Sequence, residues 1–508
     1  MEPFILFITP ENRLIEAAGG ENLLSVLQKN GFSLDAACGG NSLCGKCRVL
    51  LEDGEHLACQ TIVDRNMVVT LPKRDRGNIL AGGVDVSTDI DSDISGNLIA
   101  IDLGTTTMVC YLLDQYGREL AVSCDLNPQG IYGADVISRI QAARQGKLAE
   151  LSGSVRAGLS NLIGEACAKV STDTDSIQRI ALVGNPCMQQ LLMNISPENL
   201  TKVPFSPILT ELKTISAAAL FPGCPNAEFI VVPDISGYIG ADTVGCILST
   251  KIHERETIAL VVDIGTNGEM VLGDKRRMLA CSTAAGPALE GANIRFGMRG
   301  SAGAIDHVKW KNGKQEVHVI GEGRAVGICG SGLIDAVAGM LENGIINHRG
   351  RIQTEFAEFD GDQAFYLTED ICLTQNDIRQ VQLAKGAIAA GIELMTKQLG
   401  IALTEIHEVL LAGAFGSFID TKNACAIGLL PPVLLPAIRA VGNAAGSGAK
   451  LLACSRKEQE SADRLCQKIE FLELVSLTEF QCSFRRHTNF AKERGSGTLD
   501  TDSACHWV

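Results

Sequence analysis

The stretch Asp35-Ala-Ala-Cys-Gly-Gly-Asn-Ser-Leu-Cys-Gly-Lys-Cys-Arg48, followed by Leu57-Ala-Cys-Gln60, sets Cys38, Cys44, Cys47 and Cys59 in a C-x5-C-x2-C-x11-C pattern. Three of these cysteines stand on a glycine-rich loop that can bend around an inorganic core. Thiolates are soft ligands that select iron–sulfur clusters or zinc. A plant-type 2Fe–2S loop uses C-x4-C-x2-C with a distant fourth cysteine, and the first gap here is one residue longer. A structural zinc ribbon shows two C-x2-C pairs, whereas this stretch has one. Gly39, Gly40 and Gly45 suit donation of backbone N–H groups to cluster sulfurs. The four cysteines therefore read as ligands of a 2Fe–2S cluster, and His56 beside them reads as a solvent-facing turn residue.

The flanking pattern predicts strands over 4–9 and 13–18, a helix over 22–30 with Leu23, Leu24 and Leu27 on one face, and strands near 47–52 and 67–71. Together these make a β-grasp ferredoxin domain over 1–78, small enough that a cluster helps hold it together. From Gly83 to Gly96 the chain reads Gly-Val-Asp-Val-Ser-Thr-Asp-Ile-Asp-Ser-Asp-Ile-Ser-Gly, acidic and weakly apolar. A solvated tether over 79–96 is the expectation.

Beyond the tether, strand-like and helical patterns alternate, as in layered α/β folds. Strands are predicted over 97–101, 109–113 and 180–183, with helices over 135–144 and 158–170. A second series offers strands over 257–264, 269–272 and 408–411 and helices over 332–342 and 377–399. The two series open alike, which predicts a duplicated fold: one lobe over 97–250, a second over 251–489, and a loose tail over 490–508. At 508 residues the chain has room for such an arrangement.

The matching openings are Ile99-Ala-Ile-Asp-Leu-Gly-Thr-Thr-Thr107 and Leu260-Val-Val-Asp-Ile-Gly-Thr-Asn-Gly-Glu269. Each is an apolar strand ending in an aspartate, then a glycine and small hydroxyl or amide residues that begin a hairpin. The turn N–H groups and side chains of Gly104, Thr105 and Thr106, and of Gly265, Thr266 and Asn267, suit phosphate oxygens. Asp102 and Asp263 suit a hydrated Mg2+ ion. No G-x4-G-K-[ST] loop and no G-x-G-x-x-G turn after a strand is present. Gly327-Ile-Cys-Gly-Ser-Gly332 precedes a helical pattern and reads either as a nucleotide-side approach or as a tight turn.

A net charge of −15 argues against nucleic acid or an anionic membrane as the main partner. The N-terminus lacks a basic n-region and no apolar run reaches about 18 residues, so neither export nor a membrane span is expected. The eighteen cysteines are diluted over the chain, and Cys110, Cys246 and Cys329 sit in apolar or glycine-rich segments as small hydrophobes. A reducing, cytoplasmic setting follows. Trp310 and Trp507 read as packing or surface residues, and His487, after Arg485 and Arg486, as part of a solvated basic face.

The two openings resemble the phosphate-1 and phosphate-2 motifs of the superfamily containing actin, sugar kinases and heat-shock chaperones. On that resemblance Ile235-Ser-Gly-Tyr-Ile-Gly-Ala-Asp242 corresponds to the first connecting helix and 423–428 to the second. Val409-Leu-Leu-Ala-Gly-Ala-Phe-Gly416 corresponds to the adenosine loop, with Gly413, Ala414 and Gly416 beside the nucleotide. A 2Fe–2S domain joined to such an ATPase resembles the reductive activators of corrinoid-dependent methyltransferases. Asn127-Pro-Gln-Gly-Ile-Tyr-Gly-Ala-Asp-Val-Ile-Ser-Arg-Ile140, Pro204-Phe-Ser-Pro207, Gln375-Asn-Asp-Ile-Arg-Gln-Val-Gln-Leu-Ala-Lys-Gly386 and Gly442-Asn-Ala-Ala-Gly-Ser-Gly-Ala449 carry it further.

The resemblance implies ATP-dependent return of a Co(II) corrinoid protein to Co(I) by one electron from the cluster. It also implies an upstream electron donor, and it leaves a homodimer open. Asp234 is then a candidate to orient the attacking water, with a helix N-cap as its other reading. A redox-sensing regulatory ATPase, whose cluster gates a partner interaction, is the alternative at this point.

Overall fold

A computed structural model describes residues 3–491 apart from 33, 35–39, 41, 43–46, 73–78, 312 and 354–356. The N-terminal sheet begins with β1 (Phe4–Thr9) and β2 (Arg13–Ala17), followed by α1 (Leu23–Lys29). It is completed by β3 (Arg48–Leu51), β4 (Gly54–Leu57) and β5 (Met67–Thr70). The strand order is β2-β1-β5-β3-β4, with β1 and β5 parallel. The inward residues Leu6, Ile8, Val49 and Val69 close over Leu23 and Leu27 of α1, where Asn22 caps the helix by accepting from the N–H of Ser25. This is the β-grasp arrangement. His56 on β4 bonds Asp53 at 3.0 Å on the surface.

The first lobe is built on β6 (Asn97–Leu103), β7 (Thr107–Leu113) and β8 (Glu119–Leu126). Then come α2 (Val136–Ala142), α3 (Leu148–Lys169), β9 (Ile177–Gly184) and α4 (Pro186–Leu192). The lobe closes with β10 (Lys213–Ser216), β11 (Glu228–Val231) and α5 (Ala241–Thr250). α3 is longer than the predicted 158–170 and runs through three glycines. Gly158 explains why: a Cβ there would lie 3.0 Å from Met108 Cε and 3.1 Å from Pro128 Cγ, so close packing outweighs low helix propensity.

The second lobe opens with β12 (Ala259–Ile264), β13 (Gly268–Gly273) and β14 (Met278–Thr283). A side hairpin follows, β15 (Ala304–Lys311) and β16 (Lys314–Val319), with β17 (Gly327–Ile328) beside β15 and α6 (Gly330–Glu342) next in the chain. β18 (Glu358–Phe359), β19 (Asp362–Tyr366) and β20 (Cys372–Thr374) form a small sheet before α7 (Gln375–Leu399). The chain then runs through β21 (Glu408–Ala412), α8 (Gly413–Phe418), α9 (Thr421–Ala426), β22 (Ile438–Gly442) and α10 (Ala444–Cys454). It ends with α11 (Arg456–Lys468), β23 (Glu470–Phe471) and α12 (Thr478–His487).

The two large sheets share one plan. One runs β10-β11-β9-β6-β7-β8 and the other β22-β21-β12-β13-β14-β23. In each, an antiparallel three-strand meander meets a parallel strand at its first member, β9 against β6 and β21 against β12. Two copies of this plan make the duplicated fold of actin and hexokinase type. The helices α5 and α10 cross at glycine, where a Cβ on Gly448 would lie 2.3 Å from Gly245 Cα.

Several sequence expectations change. The second connecting helix is α10 and not 423–428, because α10 is the helix that crosses α5. The first begins at Ala241, with 235–240 an irregular turn bridged between Ser236 and Ile239. Residues 79–96 are no solvated tether. Ile79, Ala81, Val84, Val86, Ile90 and Ile94 pack against the core shared by the two lobes, while Asp85, Asp89 and Asp93 face outward. Arg179, itself buried, bonds Asp91 at 2.8 Å, and Arg456 bonds Asp93. His487 is buried and bonds Glu393 at 2.6 Å. Phe490, within the expected tail, is fully buried against the Lys385 ammonium. Trp310 stacks on Phe365, whereas Trp507 lies outside the described residues.

Candidate functional site: paired phosphate loops and a cysteine loop

Asp102 and Asp263 occupy equivalent places. Each is the penultimate residue of its strand, pairing across the parallel neighbour with Val183 and with Ala412 respectively. Between the last paired residues the turns differ by one residue, 104–107 between Leu103 and Met108 and 265–267 between Ile264 and Gly268. Both are closed by the glycine N–H, Gly104 to Thr107 O and Gly265 to Asn267 O, each at 2.9 Å.

Buried side chains hold the first turn from behind. Asn127 donates to Gly104 O at 2.9 Å, and its own N–H bonds Thr106 O. The buried Arg139 donates to Thr105 O at 2.5 Å and to Gln129 Oε1 at 3.2 Å, and Asn185 donates to Thr105 Oγ1 at 3.0 Å. In the second turn Thr266 donates to Glu290 Oε2 at 2.9 Å. The adenosine-loop residues begin α8, where Gly413 has φ +82 and a Cβ would fall 2.5 Å from Asp263 Oδ1, so only glycine fits beside that carboxylate. Ala414 and Gly416 follow in the same short helix. The Gly327-to-Gly332 run is β17, the N-cap Cys329 and the start of α6, in which a Cβ on Gly330 would meet Leu289 O and the Phe415 ring.

These elements bring together several buried carboxyls, of which Glu290 alone feels an arginine, Arg299, among the described residues. Burial pushes Asp102 up to about 6, against the hydrogen bond from Asn443 and with help from Asp242. Burial likewise pushes Asp242 up to about 6, and burial with the charges of Asp242 and Asp102 takes Asp263 up to about 7. Glu269 is raised well above the usual carboxyl range for the same reasons, and Glu290 is raised by burial. Hard oxygen donors crowded in this way fit a divalent cation delivered with phosphates. Among the described residues, no three metal-binding side chains are grouped to hold an ion by themselves.

Asp234 is buried and accepts from Gln189 Nε2 at 2.7 Å, while its Oδ2 has no partner of ordinary hydrogen-bond geometry among the described residues. Burial and Asp242 raise it well above the ordinary value. It is not the N-cap of α5, a place held by Gly240. Reading the sequence passed over Asp242, Glu269, Glu290, Asn185 and Asn443. Asp242, Glu269 and Asn443 lie inside quoted motifs, but Glu290 and Asn185 had no local signal.

Of the four cysteines, Cys47 and Cys59 are described, and Cys38 and Cys44 lie outside the described residues. Cys47 leads into β3, and Cys59 sits on the single turn Ala58–Gln60, joined to it by the Ala58 N–H bond to Cys47 O at 2.8 Å. Gly40 and Ser42 are left-handed, with φ +86 and +62, and Ser42 Oγ comes within 3.5 Å of Cys59 Sγ. Ser42 thus stands beside the turn that carries the last of the four cysteines.

Fold and site define an ATPase of the actin and hexokinase class that carries an iron–sulfur domain at its N-terminus. Three family models match: the 2Fe–2S iron–sulfur cluster binding domain over 6–67, the RACo middle region over 98–255, and the C-terminal ASKHA domain of RACo over 257–497. The chain is 34% identical over 416 residues to the corrinoid activation enzyme RamQ of Eubacterium limosum, covering 77% of this chain and 70% of that protein. It is 27% identical over 412 residues to the Co(II) methylated amine-specific corrinoid protein reductase of Methanosarcina barkeri, covering 75% and 74%. A solved reductive activator for corrinoid, iron–sulfur protein matches with a TM-score of 0.71 and 26% identity, covering 96% of this chain and 98% of that one. The chain belongs to the RACo family of reductive activators of corrinoid proteins. No helix among the described residues is long and apolar enough to cross a membrane.

Proposed function

We propose that this chain uses Mg2+ and ATP to drive reduction of an inactive Co(II) corrinoid protein of a methyltransferase system to Co(I). The observation that carries the reading is the matched pair of strand ends, Asp102 in one lobe and Asp263 in the other, each leading into a glycine-closed turn, in a chain with a 2Fe–2S domain. A bound plant-type cluster supplies one electron at about −400 mV. Co(II) reduction is expected to lie lower, and every ~59 mV uphill for one electron costs about 1.4 kcal/mol. Nucleotide binding is the source that offsets this cost.

Cys38, Cys44, Cys47 and Cys59 are assigned to the cluster, which an upstream electron donor recharges. Gly104, Thr105 and Thr106 hold phosphate oxygens from one lobe, and Gly265, Thr266 and Asn267 from the other. Gly413, Ala414 and Gly416 border the adenosine. Asp102 and Asp263 orient the hydrated Mg2+, whose charge relieves the repulsion among the buried carboxyls. Asp234, whose carboxyl burial raises above its ordinary value, orients the attacking water. Closing the turns around the phosphates draws the lobes together at the α5–α10 crossing and reshapes the surface offered to the corrinoid protein.

The test mixes the purified holoprotein with Mg2+, ATP, a reductant and a Co(II) corrinoid protein and follows the Co(I) absorbance. Asp263→Asn is expected to slow ATP-dependent Co(I) formation at least about a hundredfold while leaving the cluster spectrum intact. Failure of the wild type to form Co(I) in an ATP-dependent way with any cognate partner would sink the reading.

A further inference from the structure

The segment between the N-terminal sheet and the first lobe is gripped by the hinge of the ATPase. Asn443 is the N-cap of α10, its Oδ1 accepting from the Gly446 N–H at 2.7 Å, and this bond fixes which way its amide nitrogen points. That nitrogen donates to Asp102 Oδ2 at 2.8 Å and to Leu80 O at 3.4 Å, and the backbone N–H of Asn443 donates to Gly82 O at 2.8 Å. Tyr111, whose hydroxyl lies 3.2 Å from the same amide nitrogen, donates to Ala81 O at 2.7 Å. Three successive strap carbonyls are therefore held by two side chains and one N–H.

The contact is backbone against backbone. A Cβ on Gly83 would fall 2.3 Å from Asn443 O, and one on Gly442, which has φ +65, would fall 2.4 Å from Gly82 O. Asp102 and Tyr111 belong to the first sheet, and Asn443 leads the hinge helix of the second. Farther along, the strap is tied down again where Asp91 meets Arg179 and the N–H of Arg456. Between these two anchorages Ser447 Oγ donates to Val84 O at 2.9 Å and Thr88 Oγ1 to Glu458 Oε1 at 3.0 Å, beside a cleft of about 360 Å3 lined by Val84, Val86, Thr250 and Lys251. The strap thus has a fixed far end, a gripped near end and an open cleft beside its middle.

We propose that Asn443 is a positioning residue that couples the first phosphate loop to this strap, so that nucleotide-driven lobe movement shifts the segment carrying the 2Fe–2S domain. The inference rests on the reading of Asp102 as part of a nucleotide site. Its physical basis is that one amide serves three masters: the helix cap, the carboxylate and the strap. Hydrogen bonds of this kind are lost over a displacement of about 1 Å. Asp102 and Tyr111 share one sheet, so moving that sheet relative to α10 breaks the amide bond to Asp102 or pulls Ala81 O away from Leu80 O and Gly82 O, which Asn443 holds. Both ends of the coupling lie in one chain, so it acts whether or not a corrinoid partner is present.

The experiment is hydrogen–deuterium exchange on full-length holoprotein, with and without Mg2+ and a saturating non-hydrolysable ATP analogue, reading peptides over 79–90 and 438–447. In the wild type the analogue is expected to change strap exchange about tenfold. Asn443→Ser keeps a capping oxygen but loses the amide donor, and its strap is expected to respond less than about twofold at saturation. Tyr111→Phe removes only the hydroxyl on Ala81 O and is expected to give an intermediate response, which keeps the test decisive if Asn443→Ser folds poorly. A wild-type strap unaffected by bound analogue overturns the coupling and leaves the nucleotide reading standing. Wild-type protein that binds no analogue overturns both. Full wild-type responses in Asn443→Ser or in Tyr111→Phe overturn the coupling as assigned.

Discussion

Replacing Gly448 by alanine tests whether the α5–α10 crossing is the joint on which the two lobes turn. The added Cβ would lie 2.2 Å from Gly245 O, 2.3 Å from Gly245 Cα and 2.4 Å from Gly245 C, and ordinary contact begins near 3.4 Å. All three obstacles are backbone, so no side chain can swing aside. The helices must part by about 1 Å, and overpacking of this kind costs about 1–3 kcal/mol. Alanine returns about 1 kcal/mol of intrinsic helix propensity. The net loss expected is about 2 kcal/mol or less, read as a lower urea midpoint with unchanged slope.

Activity should suffer more than stability. Asp242 stands one turn before Gly245, and Asn443 caps the helix that carries Gly448, so parting the helices displaces groups from both lobes. A misplacement of about 1 Å costs about a hundredfold in rate. Gly245→Ala is the internal control: its Cβ meets Ala445 O at 2.8 Å and next Ala445 Cα at 3.4 Å, so about half the displacement is required. ATP-dependent Co(I) formation should therefore fall steeply for Gly448→Ala and mildly for Gly245→Ala. Equal effects of the two, or a Gly448→Ala protein with wild-type activity, would refute the reasoning.

Two further outcomes are expected. Cys59→Ser should remove or strongly alter the EPR signal of the dithionite-reduced protein and abolish Co(I) formation, while nucleotide binding by calorimetry persists; an unchanged signal would show that Cys59 is not a ligand. Glu393→Gln should loosen the docking of α12 on α7. Burial alone would raise the Glu393 carboxyl, but hydrogen bonds from His487 and Ser483 and the charge of Arg486 bring it from 4.5 down to about 2. A carboxyl lowered in the folded state stabilises above its unfolded value and loses that contribution as pH falls. Wild type should accordingly exceed Glu393→Gln by on the order of 1 kcal/mol near neutral pH, allowing for solvent screening. Urea titrations should show the gap closing between about pH 4.5 and pH 2; a gap that persists at pH 2 counts against the assignment.

The cysteine spacing and the two strand–Asp–Gly turns were legible because each is a local pattern whose chemistry needs only neighbours in sequence. The turn closures from Gly104 and Gly265 and the paired positions of Asp102 and Asp263 follow the reading closely. The acidic segment misled for an instructive reason. Its many aspartates and serines suggested solvation, but Val84, Val86, Ile90 and Ile94 alternate with Asp85, Asp89 and Asp93, which is the pattern of an extended chain with one buried face. Choosing 423–428 as the second connecting helix failed because helix crossing depends on a close approach between residues far apart in the chain. Gly448 records that approach only once Gly245 lies opposite it.

Ligand chemistry, the phosphate turns and the duplication are thus written in short stretches of this chain, since thiolate spacing and turn geometry act over a few residues. The cluster of Asp102, Asp242, Asp263 and Glu269, the burial of His487, and the grip of Asn443 on both Asp102 and the strap are products of folding. Each joins residues from separate elements, and the cost of crowding buried charge or threading backbone past backbone exists only when those elements pack. The cysteine spacing marks a 2Fe–2S domain, and only folding sets Asn443 between Asp102 and the segment that follows that domain.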